Sequence, residues 1–568
     1  MKHTLLLLLL PIFAPFSYSQ TSTREIMIGK NDRYLNFPVS MKDGLKKAQV
    51  LFEGKVIDEF TIHLSAGKPD YWVFFDASPY RGKALTVRAE GLRSQQKGFD
   101  DIFSGGSFPG EDSLYKEKLR PQVHFTSRRG WNNDPNGLVF ANGLYHLFYQ
   151  HNPYGTNWGN MHWGHAVSSD LLHWKEQPGE AWYTPDHDDA AFSGAAITDP
   201  RNTSGFRQNG IDPIIVFYTS TGRGECIALS YDNGKTFKEY EGNPVLKHKG
   251  RDPKVFWYAP GKHWVMAVYS ESHTKDMGSP GQKRAVYGIA IYTSSDLKSW
   301  TFQSVLPGFY ECPNLFQLPL EGDPSTKKWI IYGGSGKYKV GDFNGKKFTV
   351  EQDLTDYDRG GAFYASQLYE NIPAKDGRQI QVAWARVSAP GMPFNQCMAF
   401  PVALKLKKKY NTYLLCPSPV EEIKTLHKNS HVYKDIVLDQ NNSAFVAAEK
   451  GEVLNIVAVF ERGDSRQFGL SINGYEITYD NRNEHLNNIT YPQEGDILKM
   501  EVIVDKTIAE VFINDGELYF VKPLDAVNGK QEIKAFAKGL TENRKTILKK
   551  LEVHGLKSVW NEKRINGK

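Results

Sequence analysis

Residues 131–137 read WNNDPNG and place a carboxylate, Asp134, in a polar turn directly before an apolar run. That run, 138–140, is followed by an Asn-Gly turn at 142–143 and by a second apolar run at 144–149. Two apolar runs joined by an Asn-Gly turn predict a β-hairpin. The sequence therefore predicts a hairpin with an acid at its entrance.

The same arrangement occurs twice more, far along the chain. Asp252, in the triplet RDP, precedes an apolar hairpin pattern over 254–268. Glu311, in the triplet ECP, precedes another over 314–332. If the three hairpins belong to equivalent units around one axis, their acids converge on one site.

A repeated turn supports such units. Asp170, Asp232 and Asp296 each lie in a polar turn followed by an aromatic residue, and they are 62 and 64 residues apart. A degenerate fourth copy covers 342–348. A repeat of about 60 residues over residues 120–425 gives about five units, and radial repetition of four-stranded units makes a β-propeller. We therefore predict an all-β fold with a five-bladed propeller at 120–425; a β-sandwich with chance similarities is the alternative.

The flanking segments predict two further β domains. Residues 21–115 contain short apolar runs separated by Gly-containing turns, typical of a small N-terminal β domain. It is either a carbohydrate-binding module or a packing domain. Residues 430–556 contain alternating and apolar runs separated by Asn-Gly and Asp-Gly turns, which predict a C-terminal β-sandwich.

The N-terminus predicts export. Residues 1–20 combine a basic start, an unbroken leucine run at 5–10 and small residues before Gln20, the pattern of a signal peptide. We expect a periplasmic or extracellular protein without a membrane span. The four cysteines have no metal-ligand spacing, and we do not expect Cys397 and Cys416 to form a bridge.

The amino-acid composition excludes few classes of protein, but it favours one that binds carbohydrate. The net charge of +5 is small for 568 residues, and the basic residues are scattered, so no nucleic-acid partner is predicted. Aromatic residues make up 13% of the chain, including 12 Trp. Flat rings with a polar edge are the usual walls of sugar-binding clefts. Oligomeric state stays open.

The three acids suit glycoside hydrolysis, which uses one ionised carboxylate and one protonated acid. The Asn-rich turn around Asp134 offers hydrogen bonds that would keep it ionised. Glu311 stands between a Tyr and a Cys-Pro pair, a more apolar setting that would raise its pKa. Asp252 follows Arg251, whose charge would keep it ionised, so Asp252 would hold sugar hydroxyls.

With these motifs the chain resembles glycoside hydrolase family 32, which contains invertases, inulinases and levanases. Asn132 replaces the more usual Met of the first motif, and Ala195 stands where many members have Ser. Further matches are FYQ at 148–150, Trp158, HWGHA at 162–166, FSG at 192–194, YASQ at 364–367 and VAW at 382–384.

The resemblance implies a mechanism that retains configuration through a covalent fructosyl-enzyme. Asp134 would be the nucleophile, Glu311 the acid/base, and Asp252 the stabiliser of the transition state. No metal or cofactor is implied. Substrate would be bound by Asn133, Gln150, Trp158, Phe192, Ser193, Arg251 and Trp384.

The leading hypothesis is a secreted, retaining β-fructosidase that acts on levan, inulin or sucrose, with exo action favoured. Endo action, fructosyl transfer on the same scaffold and an inverting propeller glycosidase for arabinose polymers are alternatives. A non-catalytic fructan-binding protein is the alternative outside enzymes, and three intact acids argue against it. The sequence does not fix the preferred linkage, β-2,6 or β-2,1.

Overall fold

The computed structural model describes residues 21–92, 97–179, 181, 189–276, 283–525 and 532–560. The predicted signal peptide lies outside these ranges. The chain divides into two compact units, residues 1–109 and 110–568. None of the helices in the described part of the chain has the length and apolar composition needed to cross a membrane.

The first unit forms two antiparallel sheets, one in the order β1-β6-β3-β4 and one in the order β5-β2-β7. Phe37 and Phe60 meet edge to face at 5.4 Å in its core. A short helix, α1, spans Lys97–Asp100, and a 3-10 turn spans Ser78–Tyr80. The strands are β1 Ser22–Met27, β2 Tyr34–Val39, β3 Lys46–Phe52, β4 Lys55–Ile62, β5 Tyr71–Asp76, β6 Ala84–Ala89 and β7 Phe103–Gly105.

The second unit begins with the strands of the predicted propeller. Its 3-10 turns span Glu111–Ser113, Ala259–Gly261 and Glu421–Leu426. The strands are β8 Gly130–Ala141, β9 Leu144–Asn152, β10 His162–Ser168, β11 Lys175–Glu176, β12 Ala191–Thr198, β13 Ile214–Ser220, β14 Gly224–Ser230, β15 Lys238–Glu239, β16 Gly250–Tyr258, β17 His263–Asp276, β18 Lys283–Ser294, β19 Thr301–Pro307, β20 Asn314–Leu320, β21 Asp323–Tyr332, β22 Tyr338–Phe343, β23 Phe348–Thr355, β24 Phe363–Leu368, β25 Ile380–Ala385, β26 Phe394–Asn395, β27 Cys397–Met398, β28 Val402–Lys409 and β29 Thr412–Pro419.

These strands form successive antiparallel groups. Strands β8–β11, β12–β15, β16–β19 and β20–β23 each pair in chain order, and β24, β25, β28 and β29 form a further group. One parallel pair, Leu320 with Leu406, joins the last two groups into a single sheet. First strands of neighbouring groups lie against one another, as β8 does with β12 and β24. The predicted hairpin at 131–149 is confirmed as β8 and β9.

The repeated aspartates close equivalent turns before the outer strand of each group. Asp170 Oδ1 accepts hydrogen bonds from the backbone of residues 172 and 173, and Asp232 and Asp296 make the same kind of contact. In the fourth group this role falls to Asn344, not to Asp342. A short polar side chain that accepts from backbone N–H groups two to four residues on stabilises such a turn, which explains why it is found in each of these groups.

The chain ends in two packed six-stranded sheets, in the orders β30-β41-β32-β37-β38-β39 and β31-β40-β33-β34-β35-β36. Their inner faces share one apolar core, which includes Phe460 and Phe468. The prediction of an all-β propeller followed by a sandwich is confirmed. The strands are β30 His427–Leu438, β31 Ala444–Val446, β32 Val453–Glu461, β33 Gln467–Ile472, β34 Tyr475–Asp480, β35 His485–Leu486, β36 Ile489–Thr490, β37 Ile497–Asp505, β38 Ile508–Ile513, β39 Leu518–Pro523, β40 Ile533–Lys538 and β41 Thr546–Leu556.

A buried polar cluster ties the sandwich to the start of the propeller. His124 contacts Asp505 at 2.8 Å through Nδ1 and Glu510 at 3.0 Å through Nε2. Asp505 also accepts the backbone N–H groups of residues 122–124, and Glu510 accepts that of Phe400. Burial alone would lower the pKa of His124, but the two carboxylates raise it to about 9.

All four cysteines are buried free thiols, as expected for Cys397 and Cys416.

Candidate active site

All ten residues predicted for the site line one cavity of about 380 Å³ on the propeller. They come from positions spread between Asn133 and Trp384. Two further lining residues, Met161 and Tyr364, were not among the predicted site residues. The convergence of the three acids, which the repeated hairpins predict, is therefore observed. The individual roles of these residues stay predictions.

Each acid is presented by an irregular backbone at the start of an inner strand. Asp134 lies in β8, where the pairing register shifts between Asn132 and Pro135. Asp252 lies in β16 at a similar shift and has φ of +65°. Glu311, with φ of +38°, lies just before β20. The expectation of a turn before the hairpin needs correction for the first two, since β-bulges re-aim a side chain from within a strand.

Asp134 has the hydrogen bonds expected of an ionised carboxylate. Ser193 Oγ donates to its Oδ2 at 2.7 Å, and Asn133 Nδ2 donates to its Oδ1 at 3.2 Å. Burial, with the negative charge of Glu311, still raises the pKa of Asp134 to about 6. The carboxylate is therefore mainly ionised at neutral pH and takes up a proton in mild acid.

Asp252 lies deeper, with 4% of its surface exposed. Its Oδ2 accepts the backbone N–H of Cys312 at 3.0 Å, while Arg251 Nε stays 3.8 Å away. Burial and the neighbouring charges of Asp134 and Glu311 raise the pKa of Asp252 to about 8. The expectation that Arg251 keeps Asp252 ionised is therefore wrong.

Arg251 is directed to Glu311 instead. Its Nε and Nη2 donate to Glu311 Oε2 at 3.0 and 2.8 Å, and the Tyr364 hydroxyl donates to Oε1 at 2.6 Å. Glu311 thus has polar partners on both oxygens, and the apolar setting inferred from its sequence neighbours is wrong. Its partners come from strands β16 and β24, which sequence adjacency does not reveal.

Cys312 fills the space between the other two acids. Its thiol lies 3.6 Å from Asp134 Oδ2 and 3.5 Å from Asp252 Oδ2. One small sulfur therefore touches both carboxylates. Cys312 is buried, and its backbone N–H also orients Asp252.

Aromatic rings form walls of the cavity. Trp158 is 60% exposed and meets Phe192 edge to face at 6.3 Å. On another side, Trp384 meets Tyr364 at 6.0 Å and Trp131 at 5.8 Å, both edge to face. These rings offer apolar surface beside the carboxylates, the combination that sugar rings with their hydroxyl edges require.

Two amide side chains that line the cavity are held by hydrogen bonds within the protein. Gln150 is 2% exposed, and its Nε2 donates to the carbonyl of Ala191 at 3.0 Å. Asn133 accepts the indole N–H of Trp131 at 3.0 Å. Both amides are therefore held in place before any ligand binds.

A propeller that gathers three carboxylates and several aromatic rings in one cavity defines a glycoside hydrolase. The model of the glycosyl hydrolases family 32 N-terminal domain matches residues 124–417, and that of the family 32 C-terminal domain matches residues 422–555. The chain belongs to glycoside hydrolase family 32.

Its relatives agree with this assignment. A levanase of Bacillus subtilis is 35% identical over 512 residues, which cover 79% of this chain and 72% of the levanase. An extracellular exo-inulinase of Aspergillus niger is 30% identical over 539 residues, covering 79% of this chain and 96% of the inulinase. The crystal structure of an exo-inulinase from Aspergillus awamori superposes with a TM-score of 0.67 at 25% identity, covering 78% of this chain and all of that one.

Proposed function

We propose that this glycoside hydrolase is a secreted, exo-acting β-fructosidase that releases fructose from levan, inulin or sucrose with retention of configuration. The observation that carries the proposal is the meeting of Asp134, Asp252 and Glu311 in one aromatic-walled cavity. The names of its relatives, levanase and exo-inulinase, supply the substrate class.

In the first step Asp134 attacks the anomeric C2 of the terminal fructose. A bond forms between its carboxylate oxygen and C2 as the bond from C2 to the leaving oxygen breaks. Glu311 gives its proton to that oxygen, so the rest of the substrate leaves as a neutral alcohol. Ser193 and Asn133 hold the Asp134 carboxylate in place for this attack.

In the second step the ionised Glu311 takes a proton from water. The resulting nucleophile attacks C2, the ester bond to Asp134 breaks, and fructose is released with Asp134 ionised again. Asp252 binds fructose hydroxyls and, in its ionised form, stabilises the positive charge that develops at C2. Tyr364 and Arg251 orient Glu311 during both proton transfers.

The remaining predicted residues form the fructose subsite in this proposal. Gln150 and Asn133 bind hydroxyls, and Trp158, Phe192 and Trp384 provide the apolar walls. The cavity of about 380 Å³ is small enough to enclose one terminal sugar, which supports exo action. Secretion rests on the N-terminal sequence pattern and on the extracellular inulinase relative.

A time course of products from levan, inulin and sucrose tests the proposal. We expect free fructose at the earliest time point, and no product from Asp134→Asn. With methanol as acceptor, retention gives the methyl β-fructoside. A ladder of oligosaccharides would indicate endo action, longer products would indicate a transferase, the α-anomer would indicate inversion, and turnover by Asp134→Asn would refute the nucleophile.

A further inference from the structure

A second cavity, of about 530 Å³, lies next to the candidate active site on the propeller. It is larger than the cavity that holds the three acids. Its walls come from the middle of strands β17 and β18 and from the loops before β20 and after β21. The lining side chains that matter here are Tyr269, Glu271, Tyr287, Tyr310, Ser335 and Lys337.

Arg251, which lines the active-site cavity, contacts residues that line the second cavity. Arg251 donates to Glu311 on the active-site side, and its Nη2 donates to the Tyr310 hydroxyl at 2.7 Å on the other. The guanidinium also lies over the Tyr269 and Tyr310 rings, at 5.0 and 5.1 Å from their centres. Since Tyr310 directly precedes Glu311 in the chain, the second cavity begins beside the acid/base.

This position fixes which part of a substrate would meet the second cavity. Glu311 protonates the leaving oxygen, so the departing part of the substrate lies on the Glu311 side of the scissile bond. We propose that the cavity lined by Tyr269, Tyr287 and Tyr310 binds the departing part of a fructan chain. This inference rests on the proposed β-fructosidase function.

The chemistry of the lining suits a neutral sugar chain. Tyr287 is 54% exposed and Tyr310 is 55% exposed, although both are large rings. Buried Tyr269 meets Tyr310 edge to face at 5.0 Å and forms a floor beneath it. Clustered exposed rings with hydroxyl edges offer stacking faces to sugars, and such a cluster on a surface marks a binding site.

The charges of the lining also favour a neutral ligand. Among the described side chains that line the cavity, Glu271 and Lys337 contribute one charge of each sign, so this part of the lining favours neither an anion nor a cation. Glu271 accepts the Tyr269 hydroxyl at 3.1 Å through Oε1, and a carboxylate has further lone pairs with which it can accept from sugar hydroxyls. Because this cavity exceeds the one that takes the terminal fructose, it has room for at least one sugar unit.

Tyr287→Ala tests the inference, because Tyr287 is exposed and lies away from the acids. We expect the KM for levan or inulin to rise so that kcat/KM falls about five- to tenfold, as for loss of one stacking face. On sucrose, whose leaving group is a single sugar, we expect a loss at least threefold smaller. Tyr287→Phe keeps the ring and should retain most of the activity on the polymer.

Tyr410→Ala is the matched control, since Tyr410 is 68% exposed in the turn between β28 and β29 and lines neither cavity. Thermal unfolding of each variant checks its fold. Equal losses on polymer and sucrose, or an equal polymer loss in Tyr410→Ala, would overturn the subsite while the β-fructosidase function stands. A wild-type enzyme inactive on every β-fructoside would overturn both.

Discussion

The Ser193 hydroxyl controls the ionisation of Asp134, and Ser193→Ala should show this in a pH profile. The hydroxyl donates to Asp134 Oδ2 at 2.7 Å, and Asn133 and Cys312 would remain as donors in the variant. A hydrogen bond to a charged group contributes about 1.5–3 kcal/mol. About 1.4 kcal/mol corresponds to one pH unit, so the acid limb should move up by about one to two units.

The assay is kcat/KM for sucrose across the acid and neutral range. The pKa of Asp134 is raised to about 6 in the wild type, so activity should fall as the pH drops through that value and the nucleophile is protonated. With an acid limb one unit higher, the variant should be roughly fivefold less active at pH 6 from ionisation alone. At about pH 8 Asp134 is almost fully ionised in both proteins, so the ratio of wild-type to variant activity should approach a constant.

A uniform loss would refute this reasoning. If Ser193 only contacts the sugar, Ser193→Ala lowers kcat/KM by the same factor at every pH, and the acid limb stays where it is. Ser366→Ala is the control, because Ser366 is equally buried but contacts Gln381 rather than a carboxylate. Its acid limb should match that of the wild type.

Two further predictions concern Glu311 and His124. Glu311→Gln should lose at least about a hundredfold in rate on sucrose, the usual contribution of a general acid, but far less on a substrate with a good leaving group; equal losses on both would exclude Glu311 as the acid. The pKa of His124 is raised to about 9 from an ordinary 6.5, so its contribution of about 3 kcal/mol is present below pH 6.5 and lost as the pH rises through 9. His124→Gln should lower the unfolding temperature most at and below pH 6.5 and progressively less as the pH rises to 9; a difference between wild type and His124→Gln that stays the same across this pH range would contradict the assignment.

The fold could be predicted from short sequence patterns because most of its strands pair with strands that are close to them along the chain. Each group of strands is built largely from hairpins between neighbouring segments, so Asn-Gly turns and apolar alternation report them directly. Asp170, Asp232 and Asp296 report the period because each stabilises its own turn through backbone groups a few residues away. These patterns can be recognised in the sequence because each turn is stabilised by residues close to it along the chain.

The electrostatics of the site do not follow from sequence neighbours. Arg251 is adjacent to Asp252 in sequence, yet its guanidinium binds Glu311, sixty residues on. Ser193, which holds Asp134, comes from β12, and Tyr364, which holds Glu311, comes from β24. Bulges in β8 and β16 turn Asp134 and Asp252 toward residues of other strands, so their pKa values depend on residues that sequence proximity cannot identify.

The charge balance of the cavity links these pKa values to the proposed chemistry. Among the described residues that line it, three carboxylates face one guanidinium, that of Arg251. Burial, together with this excess negative charge, raises the pKa of Asp134 and Asp252, so the cavity holds a proton more readily than isolated carboxylates would. In the proposed mechanism the same excess stabilises the positive charge that develops at C2, and a proton is needed at the leaving oxygen. A second cation beside the acids would lower their pKa values, and it would also destabilise the positively charged transition state. The excess of carboxylates over cations is therefore the property that suits this site to fructoside cleavage.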